Sequence, residues 1–238
     1  MNKLELSTHT GRAHAGARAH IVLNVLIACE ESQAECIAFR ELGHNAYSCD
    51  LQPCRKGGHP EWHIHGDCLP LLNGGTQFIT SDGVGHEVPA WDLIIAHPPC
   101  TYLCKVSSNH LVKRIDGEVW LNEKRLKQMQ DAAGFFRACL NADAPFVAVE
   151  NPIPMRRAGL PKPSFFACPS WFGVKYTKKT LYWAKNLPPL VATLDYPDAK
   201  VFVRASRGKY RSRTFPQLAR AIADQWSDFI IREMTDEF

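Results

Sequence analysis

Three short apolar runs, each ending abruptly in charged or reactive residues, do most to limit what this chain can become. They are Ile21–Ala28 (IVLNVLIA), Trp91–Ala96 (WDLIIA) and Phe146–Val149 (FVAV). Runs this short and this continuously apolar belong to strands covered on both faces, since a half-exposed strand would alternate. Helical patterning lies between them. Ser32-Gln33-Ala34-Glu35 has capping-box spacing, and the helix that follows meets Gly43 where a C-terminal cap belongs. Trp120–Leu140 is a longer helical stretch, with Met129, Ala132, Ala133, Phe136 and Leu140 close to one face. His44–Cys49 predicts a strand ending at Asp50, and Thr180–Trp183 and Lys200–Val203 predict two short ones. A last helix starts near Thr214, where Thr214 and Gln217 again have capping-box spacing. Leu218, Ile222, Trp226, Phe229 and Ile230 form its apolar face. Strands alternating with helices give right-handed βαβ units and an α/β fold with a mostly parallel central sheet.

A chain of 238 residues makes one full domain. Residues 1–20 are polar and basic without apolar periodicity and predict a mobile arm, leaving 21–238 as the domain proper. Within it, 152–176 is rich in proline and aromatic residues and predicts a long functional loop or small subdomain. Hydrophobic residues at 45% and charged residues at 22% exclude wholesale disorder and fibrous structure. No apolar run approaches the roughly 18 residues needed to cross a bilayer, and the N-terminus has no signal-peptide core. Nine cysteines in that setting imply a reducing compartment, the cytoplasm, and serve as thiols, metal ligands or a nucleophile. The net charge of +4 permits a polyanionic partner without requiring one.

In an open parallel sheet, ligands bind beyond the carboxyl ends of the strands. Four predicted strand ends here carry pointed chemistry: Cys29-Glu30-Glu31-Ser32, Asp50, His97-Pro98-Pro99-Cys100 and Glu150-Asn151-Pro152. Cys100, in a proline-stiffened turn just after a strand, is placed as a nucleophile; the other choice for such a thiol is an inert buried cysteine. Glu150 follows four apolar residues, so desolvation favours its protonated form and a general-acid or hydrogen-bond-donor role. Its other choice is a capping carboxylate or an ion-pair partner.

Val25–Asp50, Pro98-Pro99-Cys100-Thr101-Tyr102-Leu103-Cys104, Glu150-Asn151-Pro152 and Arg213–Ala223 occur in that order. Together they resemble the ordered motifs of the DNA cytosine carbon-5 methyltransferases, and in detail the short members encoded by phages and prophages. The resemblance spans about residues 21–235. It implies a Rossmann-like methyltransferase fold that uses S-adenosyl-L-methionine, acts on DNA and has a minimal or absent target-recognition domain. It implies that Cys100 adds to carbon 6 of the pyrimidine and that Glu150 contacts ring nitrogen 3 and the exocyclic amine. Cofactor contacts are implied for Ala28, Cys29, Glu30, Ser32, Asp50 (on the ribose), Leu51, Asp67 (on the adenine amine), Cys68 and His97. Substrate contacts are implied for Pro99, Asn151, Lys178, Arg211 and Arg213. Two departures stand out. The first loop is Cys29-Glu30-Glu31-Ser32 where the family is glycine-rich, and only about thirty residues lie where a recognition domain belongs, so either DNA is read elsewhere, with Pro152–Phe172 the best candidate, or specificity is low, or the substrate is a free nucleotide.

Other functions fit parts of the sequence. The substrate of the same chemistry could be a free pyrimidine nucleotide. The fold could serve as a non-catalytic nucleic-acid-binding module, since Lys162, Lys175, Lys178, Lys179, Arg204, Arg207, Lys209, Arg211 and Arg213 interleave with aromatic residues. A zinc-dependent nucleobase deaminase would use His59-Pro60-Glu61 with Pro99-Cys100 and Cys104, but three residues separate those cysteines where the signature has two. Cys49, Cys54, His59, His63, His65 and Cys68 lie within twenty residues without paired zinc-site spacing, and no metal is expected.

Overall fold

The computed structural model describes residues 21–175, 179–194 and 214–236. At its centre is a seven-stranded sheet. In chain order its strands are β1 (Asn24–Ala28), β2 (Asn45–Asp50), β3 (His63–His65), β6 (Leu93–Ala96), β9 (Phe146–Asn151), β10 (Phe165–Ala167) and β11 (Thr180–Lys185). Across the sheet they run β3-β2-β1-β6-β9-β11-β10. β3, β2, β1, β6 and β9 are parallel, and β11 alone runs against both of its neighbours, β9 and β10. The chain moves outward from β1 to β3, then restarts at β6 on the other side of β1. That reversal between β1 and β6 is the switch point of a doubly wound, Rossmann-like α/β fold.

The helices α1 (Ala34–Glu41), α2 (Leu69–Leu72), α3 (Glu123–Leu140) and α4 (Pro216–Asp236) cover the two faces. Phe39 of α1 and Leu218, Ile222, Trp226 and Ile230 of α4 pack with Val25, Ile27, Leu93 and Ile95. On the opposite face Met129, Ala133, Phe136 and Cys139 of α3 and Leu71 and Leu72 of α2 pack with Leu26, Ile94, Val147 and Val149. Adjacent residues of β1 and β6 thus serve opposite cores, which is why their runs are apolar throughout. Two ribbons stand outside the sheet: β4 (Gln77–Ile79) with β5 (Gly85–Glu87), and β7 (Val112–Ile115) with β8 (Glu118–Leu121). The second turns at Asp116 (φ 52) and Gly117 (φ 84), the paired left-handed residues of a tight hairpin.

Several sequence expectations are corrected. The cap of α1 is not Ser32. Gln33 holds the cap position at φ 58 with no side-chain cap bond, and the Glu30 carboxylate accepts from the N–H of Glu35 (2.7 Å) and Cys36 (3.3 Å) instead. The helix expected from Trp120 starts at Glu123: Trp120 lies in β8, and Asn122 caps α3 by accepting from Arg125 N–H at 3.2 Å. The fully buried row of α3 is Met129, Ala133, Phe136 and Cys139, with Ala132 and Leu140 half-buried beside it. The stretch 152–175, expected as a long loop or small subdomain, supplies the edge strand β10 and short helical turns at Arg156–Ala158 and Pro169–Phe172. The arm 1–20 and the Lys200–Val203 strand fall outside the described residues. No described helix is long and apolar enough to cross a membrane.

Candidate active site

A cleft of about 330 Å³ opens at the carboxyl ends of the parallel strands, over the switch point. Its walls come from the loop after β1 (Cys29, Glu30, Glu31, Ser32), the end of β2 (Asp50, Gln52) and the loop after β6 (His97, Pro98, Pro99, Cys100, Thr101). Glu150 at the end of β9 and Pro152 just after it, Thr180 and Tyr182 of β11, Pro169, and Thr214, Phe215 and Leu218 at the start of α4 complete it. The pairing of Ala96 with Val149 brings the next residue of each strand, His97 and Glu150, to one edge of the sheet. Eight residues singled out from the sequence therefore share one cavity: Cys29, Glu30, Ser32, Asp50, His97, Pro99, Cys100 and Glu150.

The others lie elsewhere. Ala28 is sealed inside β1, and Leu51 is 70% exposed. Asp67 turns back to accept from Leu69 N–H at 2.9 Å, and Cys68 sits behind the cleft with its Sγ 4.0 Å from that of Cys29. Asn151 is fully buried and donates to the Pro98 carbonyl at 3.4 Å, so it ties the end of β9 to the loop that carries Cys100. Lys178, Arg211 and Arg213 are outside the described residues.

The Cys100 loop is braced from three sides. Cys100 opens a helical turn, Cys100–Tyr102, whose first carbonyl accepts from Leu103 and Cys104 N–H, both at 3.0 Å. Lys105 N–H donates to Ile153 O (2.9 Å) and Met155 N–H to Leu103 O (2.7 Å), pinning the loop to the segment after β9. From α3, Arg125 donates to the Thr101 carbonyl at 2.6 Å and lies 4.2 Å over the Tyr102 ring. Burial pushes the thiols of Cys36, Cys49 and Cys139 well up, keeping them protonated and inert.

The acidic residues of the site form one buried network. His97 Nε2 is 3.0 Å from Glu35 Oε2, and its Nδ1 is 3.5 Å from Glu150 Oε2. Burial opposes charge on His97, but Glu35 and then Glu150 outweigh it and hold the imidazole well above its ordinary value. Glu30 goes the other way for a carboxyl. Burial, then the charge of Glu35, push it up to about 8 against the opposing pull of His97 and the two N–H donors. Tyr182, directly paired with Glu150 across β9 and β11, is held protonated by burial and by the same two carboxylates, Glu35 and Glu150. Sequence reasoning gave Glu35 only a capping role and gave Tyr182 none.

The opposite wall has a different character. Cys29 takes φ 62, and both its N–H (2.7 Å) and that of Glu30 (3.2 Å) donate to the Cys49 carbonyl. The α1 N-terminus, where a Rossmann-like fold ordinarily receives a phosphate, already holds the Glu30 carboxyl. The bulk of Glu30 is thereby turned under the helix and is only 4% exposed. Asp50 accepts from Gln52 N–H at 2.8 Å through Oδ1 alone. Among the described residues no group of three or more His, Cys, Asp or Glu side chains is arranged to hold a metal ion. His59 stacks on Trp62 (3.8 Å between centroids), and His63 lies between Ser48 Oγ and Gln52 O, both at 2.9 Å.

No family model matches the sequence, and no curated protein matches it. Among solved structures the chain is similar to an E. coli protein described as a "putative DNA modification methyltransferase encoded within prophage", at 13% identity and a TM-score of 0.39. The likeness covers 68% of this chain and 46% of that one, so the chain spans less than half of its neighbour's length.

Proposed function

We propose that this protein transfers a methyl group from S-adenosylmethionine to carbon 5 of cytosine, with DNA as the substrate. One observation carries the proposal: Cys100 and Glu150, from the ends of two adjacent parallel strands, line the same cleft. A flat heterocycle between them presents carbon 6 to a thiolate and its opposite edge to a carboxyl group. Cys100 adds to carbon 6, and Glu150 meets nitrogen 3 and the exocyclic amine, where negative charge collects as the adduct forms. That addition makes carbon 5 nucleophilic; once methylated, carbon 5 gives up its proton to water, and the electron pair restores the ring double bond as Cys100 leaves carbon 6. A base within a duplex must leave the stack to reach Cys100.

The β1–β2 side of the cleft fits the cofactor by its chemistry. The α1 N-terminus is filled by Glu30, and Glu31 and Asp50 stand nearby, so a phosphate-bearing dinucleotide meets negative charge where it needs donors. A phosphate-free cofactor with a cationic sulfonium suits the same wall, with Asp50 placed to accept from ribose hydroxyls. When bound, S-adenosylmethionine supplies an electrophilic methyl group.

A free pyrimidine nucleotide is the second substrate to test, because residues 186–215, between β11 and α4, are too few for a separate sequence-reading domain. Labelled cofactor incubated with duplex DNA, single-stranded DNA or deoxycytidine monophosphate distinguishes the substrates. Label appearing at carbon 5 of cytosine in DNA is the expected result; label in the mononucleotide alone removes DNA from the account. Cys100→Ala is expected to lose turnover while retaining cofactor binding. Turnover that survives it rules out the covalent route.

A further inference from the structure

His97 occupies an unusual position for an imidazole. Its backbone N–H donates to the Ala28 carbonyl at 2.9 Å, which fixes it against the end of β1. Its two ring nitrogens face two different carboxylates, Glu35 on α1 at 3.0 Å and Glu150 at the end of β9 at 3.5 Å. A neutral imidazole has one N–H and would set a lone pair against one of those oxygens, whereas the imidazolium donates at both ends. Glu35 is fully buried, and among the described residues its Oε1 has no hydrogen-bond partner, which leaves the His97 ring on its Oε2 as the cation that compensates its charge there. The contacts are unequal. The ring is anchored on sealed Glu35 and joined more loosely to Glu150, whose side chain is 20% exposed and reaches the cleft.

We propose that Glu35, His97 and Glu150 form a proton relay in which His97 holds, one step behind Glu150, the proton delivered to the ring nitrogen of the bound base. This inference rests on the cytosine chemistry proposed above. Cys100 enters as the thiolate, its proton having gone to water. As the Sγ–carbon 6 bond forms, an electron pair shifts to ring nitrogen 3. That nitrogen takes a proton through Glu150, which receives it from His97 Nδ1 and ends as the carboxylate it was at the start. His97 is left neutral, with its Nε2–H still on Glu35. Adduct formation thus breaks one N–H bond at His97 and makes one on the base, with no oxidant or reductant. When Cys100 departs, the electron pair returns to sulfur and the proton goes back to His97 by the same route.

Glu35 is a positioning residue in this scheme, because it never meets the substrate yet sets the orientation and charge of His97. The other titratable groups facing the relay are Glu30, which lies within electrostatic reach of Glu35 and His97, and Tyr182, which senses Glu35 and Glu150. Tyr182 stays protonated, so changes near neutral pH trace to His97 and Glu30.

Release of tritium to water from DNA carrying 5-tritiated cytosine reads adduct formation without the methyl donor. His97→Asn is expected to slow release about 100-fold, at the lower end of general acid–base effects, and to erase the alkaline limb of its pH profile. Glu35→Gln is expected to keep that limb but move it to lower pH. Nuclear magnetic resonance of the His97 ring reports its protonation directly in folded wild type and in Glu35→Gln, which covers a His97→Asn protein that fails to fold. An imidazolium persisting above neutral pH in wild type and lost earlier in Glu35→Gln is the expected pair of results. His97→Asn releasing tritium at the wild-type rate with the wild-type profile overturns the relay, as does a His97 ring neutral at pH 7. Wild-type protein that neither releases tritium nor transfers methyl, with the imidazolium intact, overturns the cytosine assignment instead.

Discussion

Replacing Glu30 by glutamine tests the electrostatics of the cleft wall without touching the reacting groups. Glu30 is 4% exposed, caps α1 through Glu35 and Cys36 N–H, and has its acidity pushed from 4.5 to about 8, first by burial and then by Glu35. Below pH 4.5 the folded and unfolded chains both hold the proton, and Glu30 adds no pH dependence. Between 4.5 and 8 the unfolded chain gives it up while the folded one keeps it, so folding stability falls as pH rises through that window and levels off above 8. At about 1.36 kcal/mol per pH unit, the loss is bounded at about 5 kcal/mol. Glutamine keeps the acceptor for Glu35 N–H, loses the weaker one for Cys36 at a cost of about 1 kcal/mol, and cannot ionise. Urea unfolding at pH 5, 7 and 9 should find Glu30→Gln equal to or slightly less stable than wild type at pH 5. At pH 9 it should be more stable by about 2–4 kcal/mol. A stability difference that stays constant from pH 5 to 9 would refute the reasoning.

Arg125→Met removes the hydrogen bond to Thr101 O and the stacking on Tyr102. It should lower kcat about tenfold while calorimetry finds cofactor affinity unchanged, as expected if Arg125 acts only by holding the Cys100 loop. Asp50→Ala should do the reverse and weaken S-adenosylmethionine binding by about tenfold, one lost hydrogen bond to a charged group, while leaving the Cys100 thiol equally reactive to alkylation. Trp226→Ala empties a fully buried position in α4 and removes its indole bond to the Pro188 carbonyl (3.2 Å). Chemical denaturation should read a loss of about 3–5 kcal/mol. Arg220→Ala breaks exposed pairs with Asp224 and Glu41 and should change stability by less than about 1 kcal/mol in the same assay.

The central strands were legible because burial on both faces leaves an uninterrupted apolar signature. Their order made the strand-end residues converge, which is how Cys100 and Glu150 could be paired from spacing alone. Strand direction leaves no such trace: Thr180–Trp183 was seen as a strand, but nothing in TLYW says that β11 runs backwards and sets Tyr182 opposite Glu150. Glu35 was readable in principle. It precedes Ala38 and Phe39 by three and four positions, on the apolar stripe of α1, but the capping-box pattern assigned it to the helix terminus. That pattern failed because the chain turns through left-handed residues at Cys29 and Gln33, carrying Glu30 under the helix in place of Ser32. Asp116-Gly117 carried the hairpin signal for β7 and β8, but Trp120 and Leu121 extended the helical apolar pattern and masked it.

The β7–β8 ribbon also makes the molecule report on itself optically. Trp91, Trp183 and Trp226 are at most 2% exposed, whereas Trp120 is 54% exposed at the ribbon's surface, a short run of chain from the Cys100 loop. An aqueous quencher such as iodide will reach Trp120 long before those three indoles. Anything large that settles over the ribbon should shield its emission, so docking there can be followed in unlabelled protein by fluorescence alone.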